Sequence, residues 1–118
     1  LKKKDWLRRF MSNQNRSILN QWCEKVLIND INALKGALSV QPVTVSVESE
    51  NWYLYTGGYL IIVHGYPWEI DHTIIAVGYD ADSWIIKNSW DTTWGEDGYI
   101  RLSSGNTCGI LNEAVYVE

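Results

Sequence analysis

Apolar residues recur along this chain in two rhythms, and the change between them divides it. Over the first 28 residues, Trp6, Leu7, Phe10 and Met11 fall on one side of a helix with Lys and Arg elsewhere. A polar break, Ser12-Asn13-Gln14-Asn15, interrupts the pattern before Ile18, Leu19 and Trp22 resume it. This predicts a basic helical arm over residues 1–28, followed by a second unit over residues 29–118. A short helix opens that unit. Asn29 or Asp30 caps it, Ile31, Leu34, Ala37 and Leu38 form its apolar stripe, and Pro42 ends it.

Beyond Pro42 the period falls to two. Val43-Thr44-Val45-Ser46-Val47 alternates apolar and polar residues, as a half-buried strand does. Tyr55-Thr56-Gly57-Gly58-Tyr59 reads as a glycine turn between aromatics, and further strands are expected at 59–63, 73–79, 83–87, 99–102 and 114–117. Helices first and then antiparallel strands on short connections define an α+β fold whose core lies in the β part.

The strands at 73–79 and 83–87 are separated only by Asp80-Ala81-Asp82. With Tyr79 opposite Ser83, His72 stands opposite Trp90. Asn88 is then the diagonal neighbour of His72 on the same face, within reach of a long side chain. A slip of one residue would send the two to opposite faces. An imidazole that gives and takes protons near neutral pH needs a fixed tautomer and orientation. An amide oxygen can hold one ring N–H without adding charge, leaving the second nitrogen for a nucleophile, typically a cysteine. The alternative is a His and an Asn that satisfy one another in a β core.

Charge and cysteine content refine this little. The 118 residues carry a net charge of −4. Residues 1–16 hold six Lys/Arg against Asp5, whereas the remainder holds four against thirteen Asp/Glu. A basic arm of this kind is expected to lie against its own acidic body or a partner chain, since no groove-binding motif is present; contact with nucleic acid or a membrane is the alternative. The longest clean apolar run, Leu60-Ile61-Ile62-Val63, is far short of the ~20 residues of a membrane span. The chain begins at Leu1, as expected of a processed product, a fragment, or the ordered part of something longer. Two cysteines, Cys23 and Cys108, do not define a compartment, and Asn15-Arg16-Ser17 is a formal glycosylation sequon. His64 reads as a structural histidine at a strand end. No cofactor or metal is implied.

Several segments, in order, resemble the papain-like cysteine proteases. Asp71-His72-Thr73-Ile74-Ile75-Ala76-Val77-Gly78-Tyr79 is similar to the histidine strand of that family. Lys87-Asn88-Ser89-Trp90 with Trp94-Gly95-Glu96-Asp97-Gly98-Tyr99 is similar to its asparagine segment. Ala33-Leu34-Lys35, Gln41-Pro42-Val43, Leu54-Tyr55-Thr56-Gly57-Gly58 and Cys108-Gly109-Ile110 extend the likeness over about residues 29–118. The resemblance implies the β-rich lobe of the fold, a barrel-like sheet of antiparallel strands. It implies His72 as catalytic base, Asn88 as its orienter, and Trp90 and Trp94 as the wall around them. It also implies a specificity pocket lined by Ser46, Ile70 and Asp71, with Glu113 near its floor favouring a basic or aromatic substrate side chain.

The resemblance has gaps. The family's Cys-Gly-Ser-Cys-Trp stretch precedes the histidine by about 130–150 residues, whereas His72 has 71 residues ahead of it. Gln21-Trp22-Cys23-Glu24 has the wrong spacing, so Cys23 is read as a surface or structural thiol rather than the nucleophile. The cysteine expected shortly before Asp71, as partner to Cys108, is missing from His64-Gly65-Tyr66-Pro67-Trp68-Glu69-Ile70. Two glycines usual near the second tryptophan are Asp91 and Thr93, which implies a stiffer or differently turned loop. The expected function is therefore part of a cysteine endopeptidase acting on peptides or proteins, completed by a second chain or missing segment that carries the Cys lobe. The alternative is an inactive remnant serving as a structural or binding subunit of a larger assembly. A lysosomal, vacuolar or secreted location follows from the resemblance alone.

Overall fold

The structure, a computed structural model, describes residues 23–60 and 69–117. Its elements are β1 (Cys23–Lys25), α1 (Ile31–Leu38), β2 (Val43–Val47), β3 (Tyr59–Leu60), β4 (His72–Tyr79), β5 (Ser83–Lys87), β6 (Tyr99–Ser103) and β7 (Ala114–Val117). Two 3-10 turns, Trp52–Leu54 and Thr107–Gly109, complete the set. The helical arm expected over residues 1–28 falls largely outside the described residues. Within them, Cys23–Lys25 is a strand paired to β7, so this end of the arm belongs to the sheet.

Asp30 rather than Asn29 caps α1, its Oδ1 accepting from Ala33 N at 2.9 Å. Leu34 and Leu38 are buried, whereas Ile31 at the head of the expected stripe is exposed. Burying a side chain such as Leu34 stabilises the fold by ~2 kcal/mol. The helix stops at Ser39, whose N–H and hydroxyl both donate to Lys35 O.

The seven strands form one sheet in the order β1-β7-β2-β4-β5-β6-β3. It runs open from β1 to β3 and does not close into the barrel-like sheet expected. Nor is it wholly antiparallel, since β3 lies parallel to β6 through Tyr59↔Arg101 and Leu60↔Leu102. A parallel pairing needs a long crossover between partners, which the intervening β4 and β5 supply. Strand β2 lies between β7 and β4. Val43, Val45 and Val47 fill the core, and Ser46 on the other face is buried as well. Trp52, Trp84, Ile86, Ile100, Leu102 and Ile110 complete a core that backs the C-terminal end of β5.

The β4–β5 hairpin holds a correction with a useful outcome. Its turn is one residue longer than expected, so Tyr79 pairs with Trp84 and Gly78 with Ile85. Extended unbroken, that register would put His72 and Asn88 on opposite faces. A bulge at Val77 inserts one residue and restores Ala76↔Ile86 and Ile75↔Lys87. The register expected next to the site is thus reached by a different route.

Candidate active site

His72 opens β4, and Asn88 immediately follows β5. Trp84, Ile86 and Asn88 alternate toward the core on one strand, as His72, Ile74 and Ala76 do on the other. His72 Nε2 and Asn88 Oδ1 lie 2.7 Å apart. The same Oδ1 accepts from the Ser89 backbone N–H at 2.9 Å, which fixes the oxygen end of the amide in this position. An oxygen facing the ring requires the proton on Nε2, so Nδ1 keeps the lone pair. Asn88 N donates to Gly98 O at 3.0 Å, tying the residue to the loop that follows. Among the described residues, the buried Nδ2 of Asn88 has no hydrogen-bond partner. An orphaned N–H costs ~1–3 kcal/mol, so the amide is held here through its oxygen against that cost.

Three indoles surround the pair. Trp90 lies 5.4 Å from the His72 ring at 34°, and Trp52 lies 5.8 Å away at 90°. Trp94 meets Trp90 at 5.1 Å, stacks on Trp52 at 6.2 Å and donates its Nε1–H to Trp52 O at 2.8 Å. Trp90 is 38% exposed, so one side of this apolar wall is open. Asp91, where the resemblance led to the expectation of a glycine, has φ 119°. Behind Trp94, Glu96 holds Arg101 through two contacts, Nε–Oε1 at 2.7 Å and Nη2–Oε2 at 2.8 Å. These bonds pull the Glu96 carboxyl down to about 2 and raise the Arg101 guanidinium.

The residues expected to line a substrate pocket gather around the C-terminal half of β2. Ser46 Oγ pairs with Thr73 Oγ1 at 3.2 Å, and Ser46 N donates to Glu113 O at 3.0 Å. Asp71 N donates to Val47 O at 3.0 Å, with the half-buried Ile70 beside it. The Asp71 carboxylate is turned to the loop after β2, its Oδ1 accepting from both the N–H and the hydroxyl of Ser49 at 2.9 Å.

Cys23 lies on the far edge of the sheet. Strands β7 and β2 stand between it and β4, a distance of ~14 Å at ordinary strand spacing. Cys108 is a free, buried thiol with φ 56°, and Trp52 Nε1–H donates to its Sγ at 3.3 Å. His64 and Gln21 fall outside the described residues. Among those described, no group of three or more His, Cys, Asp or Glu side chains is placed to hold a metal ion. No helix there is long and apolar enough to cross a membrane.

Sequence reasoning missed Trp52 and Thr73. Trp52 sits in Glu48-Ser49-Glu50-Asn51-Trp52, a polar stretch without period, where burial has no pattern to announce it. Thr73 was detectable in principle as the cross-strand partner of Ser46.

The imidazole of His72, held by Asn88, thus lies under an indole wall. The papain family cysteine protease model matches residues 8–118. The cysteine proteinase COT44 of Brassica napus is 41% identical over 104 residues, covering 79% of this chain and 31% of that protein. The putative cathepsin L 3 of Paramecium tetraurelia is 46% identical over 80 residues, covering 67% and 25%. Among solved structures, the Carica candamarcensis cysteine protease CMS1MS2 in complex with E-64 matches with a TM-score of 0.73 and 38% identity, over 80% of this chain and 47% of that one. The chain belongs to the papain family of cysteine proteases. It spans between a quarter and a third of the length of these two curated relatives.

Proposed function

We propose that this chain supplies the base and its orienter to a papain-like cysteine endopeptidase, with His72 as base and Asn88 as orienter. The observation that carries this is the 2.7 Å contact between His72 Nε2 and an Asn88 oxygen already fixed by Ser89 N–H. With Nε2–H committed, Nδ1 accepts the proton of a thiol carried by a second lobe, on a missing segment or another chain. The thiolate attacks the scissile carbonyl carbon, the C–N bond breaks, and the imidazolium gives its proton to the leaving amine. Water then adds to the thioester as His72 takes its proton, releasing the acid and restoring the thiol. Because Asn88 is neutral, it orients the ring without holding the imidazolium by charge. Trp90 and Trp94 keep water from the His72–Asn88 bond.

Peptides or proteins are the substrates, and a lysosomal, vacuolar or secreted setting accords with the family. Ser46, Ile70, Asp71 and Glu113 line the pocket for the second residue before the cut, and the Glu113 carboxylate favours a basic or aromatic group there. The contacts around the C-terminal half of β2 support this reading.

The test joins this chain to its thiol-bearing lobe and follows hydrolysis of a peptide substrate. His72→Ala is expected to abolish turnover, at least the ~10²–10⁴-fold that positioned acid–base groups contribute. Glu113→Ala is expected to erase any preference for Arg over Leu in that pocket. Turnover unchanged by His72→Ala would refute the role given to His72, and an assembled protein without turnover would favour the catalytically silent alternative.

A further inference from the structure

Cys108 is a motif residue that the proposed chemistry leaves unused. In the resemblance it belongs to a disulfide, yet here it is a buried free thiol 3% exposed. Its sulfur instead accepts the indole N–H of Trp52 at 3.3 Å. Trp52 is 1% exposed and meets the rings of His72, Trp90 and Trp94.

We propose that Trp52 is the positioning residue that keeps His72 turned toward Asn88, and that the thiol of Cys108 holds Trp52 in place. The inference rests on His72 acting as the base.

The backbone of Trp52 is fastened at several points. Its N–H donates to Ser49 O at 3.0 Å, and its carbonyl accepts from both Tyr55 N at 3.0 Å and Trp94 Nε1 at 2.8 Å. Ser49 is tied in turn to Asp71, the residue before His72. These bonds set where the Trp52 side chain starts, but they leave the torsions of its indole free. The ring's one polar atom is Nε1, and its bond to Cys108 Sγ removes that freedom. Fixed in this way, the indole meets the His72 ring at 90°, while Trp90 covers another side at 34°. Turning the imidazole about its Cβ–Cγ bond would drive it against these two rings and break the bond to Asn88.

Cys108 suits the task because it stays neutral. Burial pushes its thiol up to about 11, so the sulfur remains an uncharged acceptor through the neutral range. Its backbone is also pinned, with Cys108 O accepting from Glu48 N at 2.9 Å. The hydrogen bond links the 3-10 turn Thr107–Gly109 to the 3-10 turn Trp52–Leu54, which packs against His72.

The experiment reads His72 directly by long-range proton–nitrogen NMR on the 118-residue chain, with His72→Ala used to assign the signal. Four further variants are compared: Trp52→Phe, Cys108→Ala, Cys108→Ser and Asn88→Ala, the last as a control that removes the acceptor outright. In the native chain a single Nε2–H tautomer with a slowly exchanging proton is expected. Trp52→Phe keeps a ring without the N–H, and Cys108→Ala removes the acceptor. Both are expected to give mixed tautomers and several-fold faster exchange. Cys108→Ser restores an acceptor, slightly farther from Nε1, and is expected to recover most of the native signal. If the melting temperature falls in these variants while the His72 tautomer and exchange stay native, the proposal is overturned and Trp52 is merely core. Should Trp52→Phe fail to fold, the contrast between Cys108→Ser and Cys108→Ala decides. These readouts need no turnover, so they are separable from the test of His72 as base.

Discussion

The phenol oxygen of Tyr55 lies 2.8 Å from Glu96 Oε1, joining residues 41 positions apart behind the wall of the site. The same phenol is 2.6 Å from Gly58 O, and its ring packs on Trp94 at 5.5 Å. Glu96 thus fastens three segments: the glycine turn, the loop before β6, and Arg101 on β6. Its carboxyl is held down at about 2, against 4.5 in the unfolded chain, first by the Arg101 bonds and then by Tyr55. A depressed carboxyl contributes stability above its unfolded value, and that contribution is lost as pH falls toward the folded one. Glu96→Gln is therefore expected to lower the urea midpoint at pH 7, with the gap to the native chain closing between about pH 4.5 and 2. A gap independent of pH would show that Glu96 acts by packing alone.

Asp91 occupies φ 119°, a conformation that side chains rarely adopt. Its Oδ1 accepts from Thr92 N at 2.6 Å, which offsets part of the strain. Asp91→Gly removes both, and the relief is expected to dominate by ~0.5–1 kcal/mol. That corresponds to a rise of a few degrees in melting temperature. A fall on calorimetry would mean that the Thr92 contact outweighs the backbone strain.

Gly95 allows no such latitude. A Cβ there would lie 2.6 Å from Tyr99 O and 3.1 Å from the Tyr55 ring, at φ 60°. The nearest obstacle is backbone and cannot swing away. Gly95→Ala is expected to destabilise the chain by ~2 kcal/mol or more and to alter tryptophan emission through Trp94. Native emission and native melting together would contradict the close approach.

Asn88 can be probed through charge. In the peptidase assembly proposed above, Asn88→Asp places an anion beside the imidazole and favours its protonated form. The alkaline limb of the pH–rate profile should move to higher pH. Asn88→Ala instead frees the ring and is expected to lower kcat/KM by ~10²-fold. An unmoved profile in the aspartate variant would separate residue 88 from the base.

Much of this architecture was legible in the sequence because it is local. The β2 strand follows a period of two, β5 and β7 are short apolar runs between polar residues, and α1 carries its cap and its stop in nearby residues. The pairing of His72 with Asn88 was legible only in part, since the expected turn is one residue too short and an unforeseen bulge at Val77 restores the register beside the site. What escaped was non-local or compensating. The parallel contact of β3 with β6 joins segments with two strands between them, and no periodicity encodes it. The openness of the sheet depends on edges that no single segment specifies. Trp52 enters the site through contacts at residues 72, 90, 94 and 108, reached from a stretch with no pattern of its own.

The bulge at Val77 has a consequence for how this hairpin can vary. It works as a phase shifter between the turn and the site. The acidic turn, closed by Asp80 Oδ1 accepting from Asp82 N and Ser83 Oγ, sets one parity of side chains. Four residues along the strand that parity is reset before His72 is reached. A turn that paired Tyr79 with Ser83 but kept the bulge would carry the imidazole to the wrong face, and so would a ladder running unbroken through Val77 from the present turn. The two changes made together should cancel. Turn and bulge are therefore free to be lost or gained only as a pair.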